Sequence, residues 1–123
     1  MNNFMLELEI KASDINQVKT LLNIENEAIP SVITAFFVQG MVSSAIGKLL
    51  GDGAIYREQE TEYFSQVHVN DVLTLRVEIA EIQEKRVFKL AKIKIECKNQ
   101  NNAVLARGLA TGIPPKSENQ EIL

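Results

Sequence analysis

Apolar and polar positions alternate from the first residues of the chain. Phe4, Leu6, Leu8 and Ile10 fall in one phase and Met5, Glu7 and Glu9 in the other, the signature of a half-buried strand. Ser13-Asp14 then predicts the start of a short helix over residues 15–22, with either residue as the cap and Gln17 three positions beyond Asp14. Residues 23–28 are polar and acidic and read as a loop. From Pro30-Ser31 the spacing changes to three and four. Val32, Ile33, Phe36, Phe37, Gly40, Met41, Ser44, Ala45, Lys48 and Leu49 make a stripe that is apolar or small almost throughout, and the opposite side is also largely uncharged. A helix this apolar must be wrapped by other elements. It begins either near residue 31 or near Val38 after an irregular lead, and Gly51-Asp52-Gly53 stops it.

Beyond residue 54 the period is two. A strand over residues 55–64 has a polar middle, and His68-Val69-Asn70-Asp71 is a connection. Leu73, Leu75, Val77 and Ile79 oppose Thr74, Arg76 and Glu78, and Gln83-Glu84-Lys85-Arg86 turns the chain. Phe88 and Leu90 are out of phase with Ala91, Ile93, Ile95 and Cys97, which predicts a bulge at that point. Residues 99–102 turn again, a last strand runs over residues 103–113, and Pro114-Pro115 ends it. The expected fold is α+β: a curved antiparallel sheet wrapped around a central apolar helix, in one domain over residues 4–115 with a C-terminal tail over 116–123.

The 123 residues carry a net charge of −3, with 46% hydrophobic and 24% charged positions. That balance gives no long-range attraction to nucleic acid or to an anionic membrane, so neither is expected as a partner. Lys92, Lys94 and Lys98 alternate with apolar residues and read as the solvated face of a strand. Cys97 is the one cysteine, in phase with apolar neighbours, and is expected to be buried and inert. With a single cysteine and a single histidine, His68, no metal site is expected. No basic stretch precedes the first apolar residues, and no apolar run reaches 18 residues without interruption, so the expected location is the reducing cytoplasm.

Three stretches carry a family resemblance. Gln39-Gly40-Met41 with Leu49-Leu50-Gly51, Ile55-Tyr56-Arg57-Glu58-Gln59 through Phe64 to Asn70-Asp71, and Cys97-Lys98-Asn99-Gln100-Asn101 with Gly108 and Ala110 follow one another in order. In order and spacing they resemble the MaoC-like dehydratases, which include (R)-specific enoyl-CoA hydratases and have the hotdog fold. The likeness covers about residues 38–115. It implies an acyl-CoA or acyl-carrier thioester as ligand, with coenzyme A entering only as part of the substrate and no other cofactor. It also implies hydro-lyase chemistry and a dimer, either of two copies or of two different hotdog chains. Substrate contacts are then expected at Gln39, Gly40, Met41 and Ser44.

The departures fall on the chemistry. The family's hydratases carry an Asp-x-x-x-x-His pair ahead of a His-Gly-Met helix opening; here residues 14–38 hold no histidine and Gln39 stands where the His-Gly-Met histidine would be. The carboxylates nearest the motif's place are Glu25 and Glu27. Hydration of an enoyl thioester needs a base for water, an acid for carbon and donors for the enolate oxygen. Backbone N–H groups at residues 39–41 supply those donors if a helix begins there. Gly40 either lets a ligand come close or permits tight helix–sheet packing. Three readings follow: a hydratase with an unusual acid–base set, a thioester hydrolase using Glu25 or Glu27, or a silent hotdog subunit that completes a partner's site.

Overall fold

A computed structural model describes residues 2–25 and 31–115. The elements are β1 (Asn3–Glu9), α1 (Ala12–Leu21), α2 (Ser31–Leu50), β2 (Ile55–Tyr63), β3 (Val72–Glu84), β4 (Lys89–Lys98) and β5 (Val104–Ile113). The five strands form one antiparallel sheet in the order β1-β3-β4-β5-β2, so β1 and β2 are its edges. The predicted elements are all present in that order. The helix α1 starts earlier than expected because Lys11, not Ser13 or Asp14, is its N-cap; Asp14 serves from the first turn, accepting the Lys11 N–H on Oδ2 at 3.0 Å.

Cross-strand register lines the apolar residues into rows on one face. Leu6 faces Leu75, which faces Cys97, which faces Ala106; Phe4, Val77 and Ile95 form the next row, which reaches Gly108 on β5. The helix α2 lies across these rows. Ile33, Val38, Met41, Val42, Ala45, Ile46, Leu49 and Leu50 are buried in one cluster with Leu73, Leu75, Val77, Ile93, Ile95 and Cys97. Each such side chain contributes ~1.5–3 kcal/mol by leaving water, so this contact is the main source of stability. By length and composition α2 could also cross a membrane; here it is the core helix of the sheet.

Three register shifts bend the sheet, at Ile79/Glu81 in β3, at Tyr56/Glu58 in β2, and where Lys98 meets β5. The bulge expected in β4 is thus in β3, where Ala80 is the extra residue. The β4 side of that pairing is unbroken, and its break in apolar phase reflects burial on both faces, since Lys89, Leu90 and Ala91 are all buried. Gly112 admits α2: a Cβ there would lie 2.6 Å from Leu50 Cδ1. Gly51 and Gly53, at φ 96 and 88, reverse the chain from α2 into β2.

Two motifs of the resemblance turn out to be a single structural clasp. Asp71 Oδ1 accepts a hydrogen bond from Gln100 Nε2 at 2.9 Å, Asp71 Oδ2 accepts the His68 N–H at 2.8 Å, and Gln100 Oε1 accepts the Val72 N–H at 2.9 Å. The β2–β3 connection is thereby fixed to the β4–β5 hairpin. Asn70, in the left-handed region at φ 72, donates its N–H to the Ile10 carbonyl at 2.7 Å.

Candidate functional site

Helix α2 is continuous from Ser31, so Gln39, Gly40 and Met41 sit at its middle, not at its start. Their N–H groups belong to the helix ladder. The backbone-donor route to a thioester carbonyl is therefore closed, and what these positions can offer is side chains and the bare Cα of Gly40.

The buried side of α2 faces the sheet. Its other side, through Val32, Phe36, Gln39, Gly40, Ser43, Ser44 and Gly47, is exposed and carries one charge, Lys48 in the last turn. Gly40 decides between its two readings: a Cβ built there meets nothing within 4 Å. Helix–sheet packing does not require a glycine at this position. Gly40 instead lines an open groove of about 280 Å³ between β1 and α2, with Leu6, Leu8, Phe36, Phe37 and Met41 supplying apolar walls and Glu7 one rim. The rings of Phe36 and Phe37 meet edge to face, with centroids 6.0 Å apart. Of the expected contacts, Gly40 and Met41 line this groove; Gln39 and Ser44 are on the exposed stripe beside it.

On its other flank α2 approaches β2 through Gln39 and Tyr56. Each apolar row of the sheet ends there in a polar side chain: Cys97–Ala106–Tyr63, Ile95–Gly108–Thr61, Ile93–Ala110–Gln59 and Ala91–Gly112–Tyr56. Tyr56 Oη donates to Gln59 Oε1, Gln59 Nε2 donates to Thr61 Oγ1, and Gln39 donates to Ser43 Oγ at 3.3 Å. Burial pushes the Tyr56 phenol above its usual value, and a hydrogen bond with Gln39 opposes part of that shift. Burial likewise raises Tyr63, helped by the nearby Cys97 thiol. The result is a row of neutral donors and acceptors with Tyr56 held protonated at neutral pH. Only the polar middle of this strand was legible in the sequence; the signal that singles out Tyr56, Gln59, Thr61 and Tyr63 is that they share the phase that faces glycine and alanine of β5.

The remaining candidates lie apart. Glu25 is exposed and does not line the groove, and Glu27 lies outside the described residues. The His68 side chain is 74% exposed, with Nδ1 3.7 Å from Asp71 Oδ2, and it is the His68 backbone N–H that serves the clasp. Cys97 is buried as expected, its thiol pushed up to about 12 by burial and so inert at neutral pH. Among the described residues no cluster of histidine, cysteine and carboxylate side chains is placed to hold a metal ion.

A curved antiparallel sheet closed over one long apolar helix defines the hotdog fold, and the chain is similar to known members of it. It aligns over 92% of its length with the (R)-hydratase from A. caviae involved in PHA biosynthesis, covering 94% of that chain at 21% identity and a TM-score of 0.77. It also aligns over 91% of its length with the ChsH1-ChsH2 complex from Mycobacterium tuberculosis, covering 94% of that chain at 10% identity and a TM-score of 0.72. In sequence it is 28% identical over 83 residues to a 3-hydroxybutyryl-CoA dehydratase of Methylorubrum extorquens, a match that takes in 67% of this chain and 52% of the relative. The matched part thus spans about half the length of the curated relative. No family model matches the chain.

Proposed function

We propose that the chain is a soluble, cytoplasmic hotdog protein that binds an acyl-CoA or acyl-carrier thioester and takes part in hydratase–dehydratase chemistry. The observation that carries this reading is Gly40, a bare position on the core helix at the wall of an apolar groove, which the protein's own packing does not need. The groove suits an acyl chain, and the neutral row of Gln39, Tyr56, Gln59 and Thr61 suits a polar, uncharged group such as a thioester and its amide-bearing arm. The structural neighbour described as an (R)-hydratase and the relative described as a 3-hydroxybutyryl-CoA dehydratase support the reaction class.

Neutral donors can polarise a thioester carbonyl and stabilise an enolate oxygen. They cannot take a proton from water at neutral pH, and the one histidine, His68, lies in the β2–β3 connection and does not line the groove. The acid–base pair is therefore supplied from outside the described residues. The free β2 edge gives it a route. There the sheet continues into a second hotdog chain, which brings its own groups alongside Tyr56 and Gln59.

The test is titration with crotonyl-CoA, followed by assays for water addition and for free thiol release. Saturable binding by the chain, with hydration only when a second hotdog chain is present, is the expected result. Failure to bind any acyl-CoA ends the reading. Thiol release by the chain alone replaces it with hydrolysis by a carboxylate such as Glu25 or Glu27.

A further inference from the structure

The edge strand β2 is built to attract a second sheet and to reject a copy of itself. Its ends are exposed and aromatic or aliphatic: Ile55 and Tyr56 at one, Tyr63 and the following Phe64 at the other. Its middle is acidic on the convex face, where Glu58, Glu60 and Glu62 stand opposite Thr111, Leu109 and Arg107 of β5. The one cation among these, Arg107, is already engaged, since its Nε donates to Glu96 Oε2 at 3.0 Å. Among the described residues none of the three glutamates is in an ion pair. Backbone groups on this side of β2 have no neighbouring strand, because β5 occupies the other side.

Consider two copies joined by this edge about a two-fold axis, so that the sheet continues and both α2 helices lie on one side. Directly opposed residues then share a face. With Glu60 opposite its own copy, Glu58 meets the second copy's Glu62 and Glu62 meets its Glu58. A slip of two residues in either direction still sets glutamate against glutamate. The one cation on the strand, Arg57, sits at the register shift. Each close like-charge pair opposes assembly, and a run of them decides the partner more than the affinity.

We infer that the partner of the β2 edge is a different hotdog chain, one whose own edge strand carries lysine or arginine on its convex face opposite Glu58, Glu60 and Glu62. This rests on the reading that β2 is the edge at which the sheet continues, and it is independent of whether the groove binds a thioester. It accounts for an apolar groove with no acid–base pair among the described residues beside it: the groups come from a chain of different sequence, and the acidic strand opposes the pairing of two like copies.

The charge pattern can be tested on this chain alone, without ligand. Three proteins are compared by sedimentation equilibrium and by amide hydrogen exchange of residues 55–63. They are the native chain, a variant with Glu58→Lys, Glu60→Lys and Glu62→Lys, and a variant with glutamine at the same three positions. The native and lysine forms are each expected to self-associate weakly and to exchange quickly along β2. Their equimolar mixture is expected to dimerise and to protect β2, and the glutamine form is expected to self-associate at least ~5-fold more tightly than the native chain. The inference is overturned if the native chain pairs with itself through β2 as tightly as the mixture does. It is equally overturned if the mixture gains no protection along β2, which removes this edge as an interface whatever the thioester assays show.

Discussion

One face of one sheet is used in two ways. Under α2, the concave side of β3 and β4 is Leu73, Leu75, Val77, Ile93, Ile95 and Cys97, all buried, with no polar side chain among them. A few ångströms along the same rows, on β2, the concave side is Tyr56, Gln59, Thr61 and Tyr63. Folding explains the first set, since each residue there leaves water against the helix. It does not explain the second, because amides and hydroxyls at the end of an apolar row add little to a core. Residues kept polar where the pattern would admit leucine point to a second surface or a ligand.

The difference sets the sizes of the expected effects. The largest belongs to the first set. Leu75 is fully buried between Leu6 and Cys97, and Leu75→Ala is expected to cost ~2–5 kcal/mol of stability in urea unfolding. Next is the seam between the two sets. A Cβ at Gly108 would lie 2.4 Å from the Glu60 carbonyl oxygen and 3.2 Å from Thr61 Cα, both backbone atoms that yield only if β2 moves. Gly108→Ala is therefore expected to destabilise by ~1–3 kcal/mol, with amide protection lost along β2 and retained along β3 and β4. Equal loss across the sheet would show that the two regions are one cooperative unit.

A smaller effect follows from Cys97, which lies in the row that ends at Tyr63. Burial raises its thiol from 9.0 to about 12. The unfolded chain then loses this proton before the folded one does. Stability from this group is present below pH 9 and falls as pH rises from there toward 12, by on the order of 1 kcal/mol at pH 10. Cys97→Ser removes that slope, and urea midpoints at pH 8 and pH 10 measure it. In the native protein the thiol is expected to resist alkylation at pH 8, whereas an exposed thiol reacts within minutes.

What the sequence disclosed follows the same division. Wherever burial sets the pattern, the elements could be read: the phase of Leu73, Leu75 and Val77, the stripe of α2, and the curved sheet around it. The bulge was misplaced because Leu90 and Ala91 are both buried, which mimics a phase slip in β4 while the extra residue is Ala80 of β3. The clasp was visible only as resemblance, since Asp71 and Gln100 are 29 positions apart and meet through side chains. The polar row of β2 was hidden for a related reason. Alternation says which residues share a face, but not that this face meets Gln39, because that contact depends on where α2 crosses the sheet.

The smallest stability change expected is also the sharpest test of the comparison. Gly40 and Gly47 lie seven residues apart on the exposed stripe of α2, and a Cβ at either meets nothing within 4 Å. Glycine inside a helix costs stability relative to alanine, so Gly40→Ala and Gly47→Ala are each expected to stabilise the chain by ~0.5–1 kcal/mol. They differ in position: Gly40 lines the apolar groove and Gly47 does not. If the groove takes an acyl chain against bare backbone, a methyl group at Gly40 displaces it and weakens crotonyl-CoA binding about tenfold, ~1.4 kcal/mol, while the same change at Gly47 leaves binding intact. Gains in stability at both sites with equal affinity would mean that the groove is not where the ligand lies, and that the polar row of β2 serves the partner strand alone.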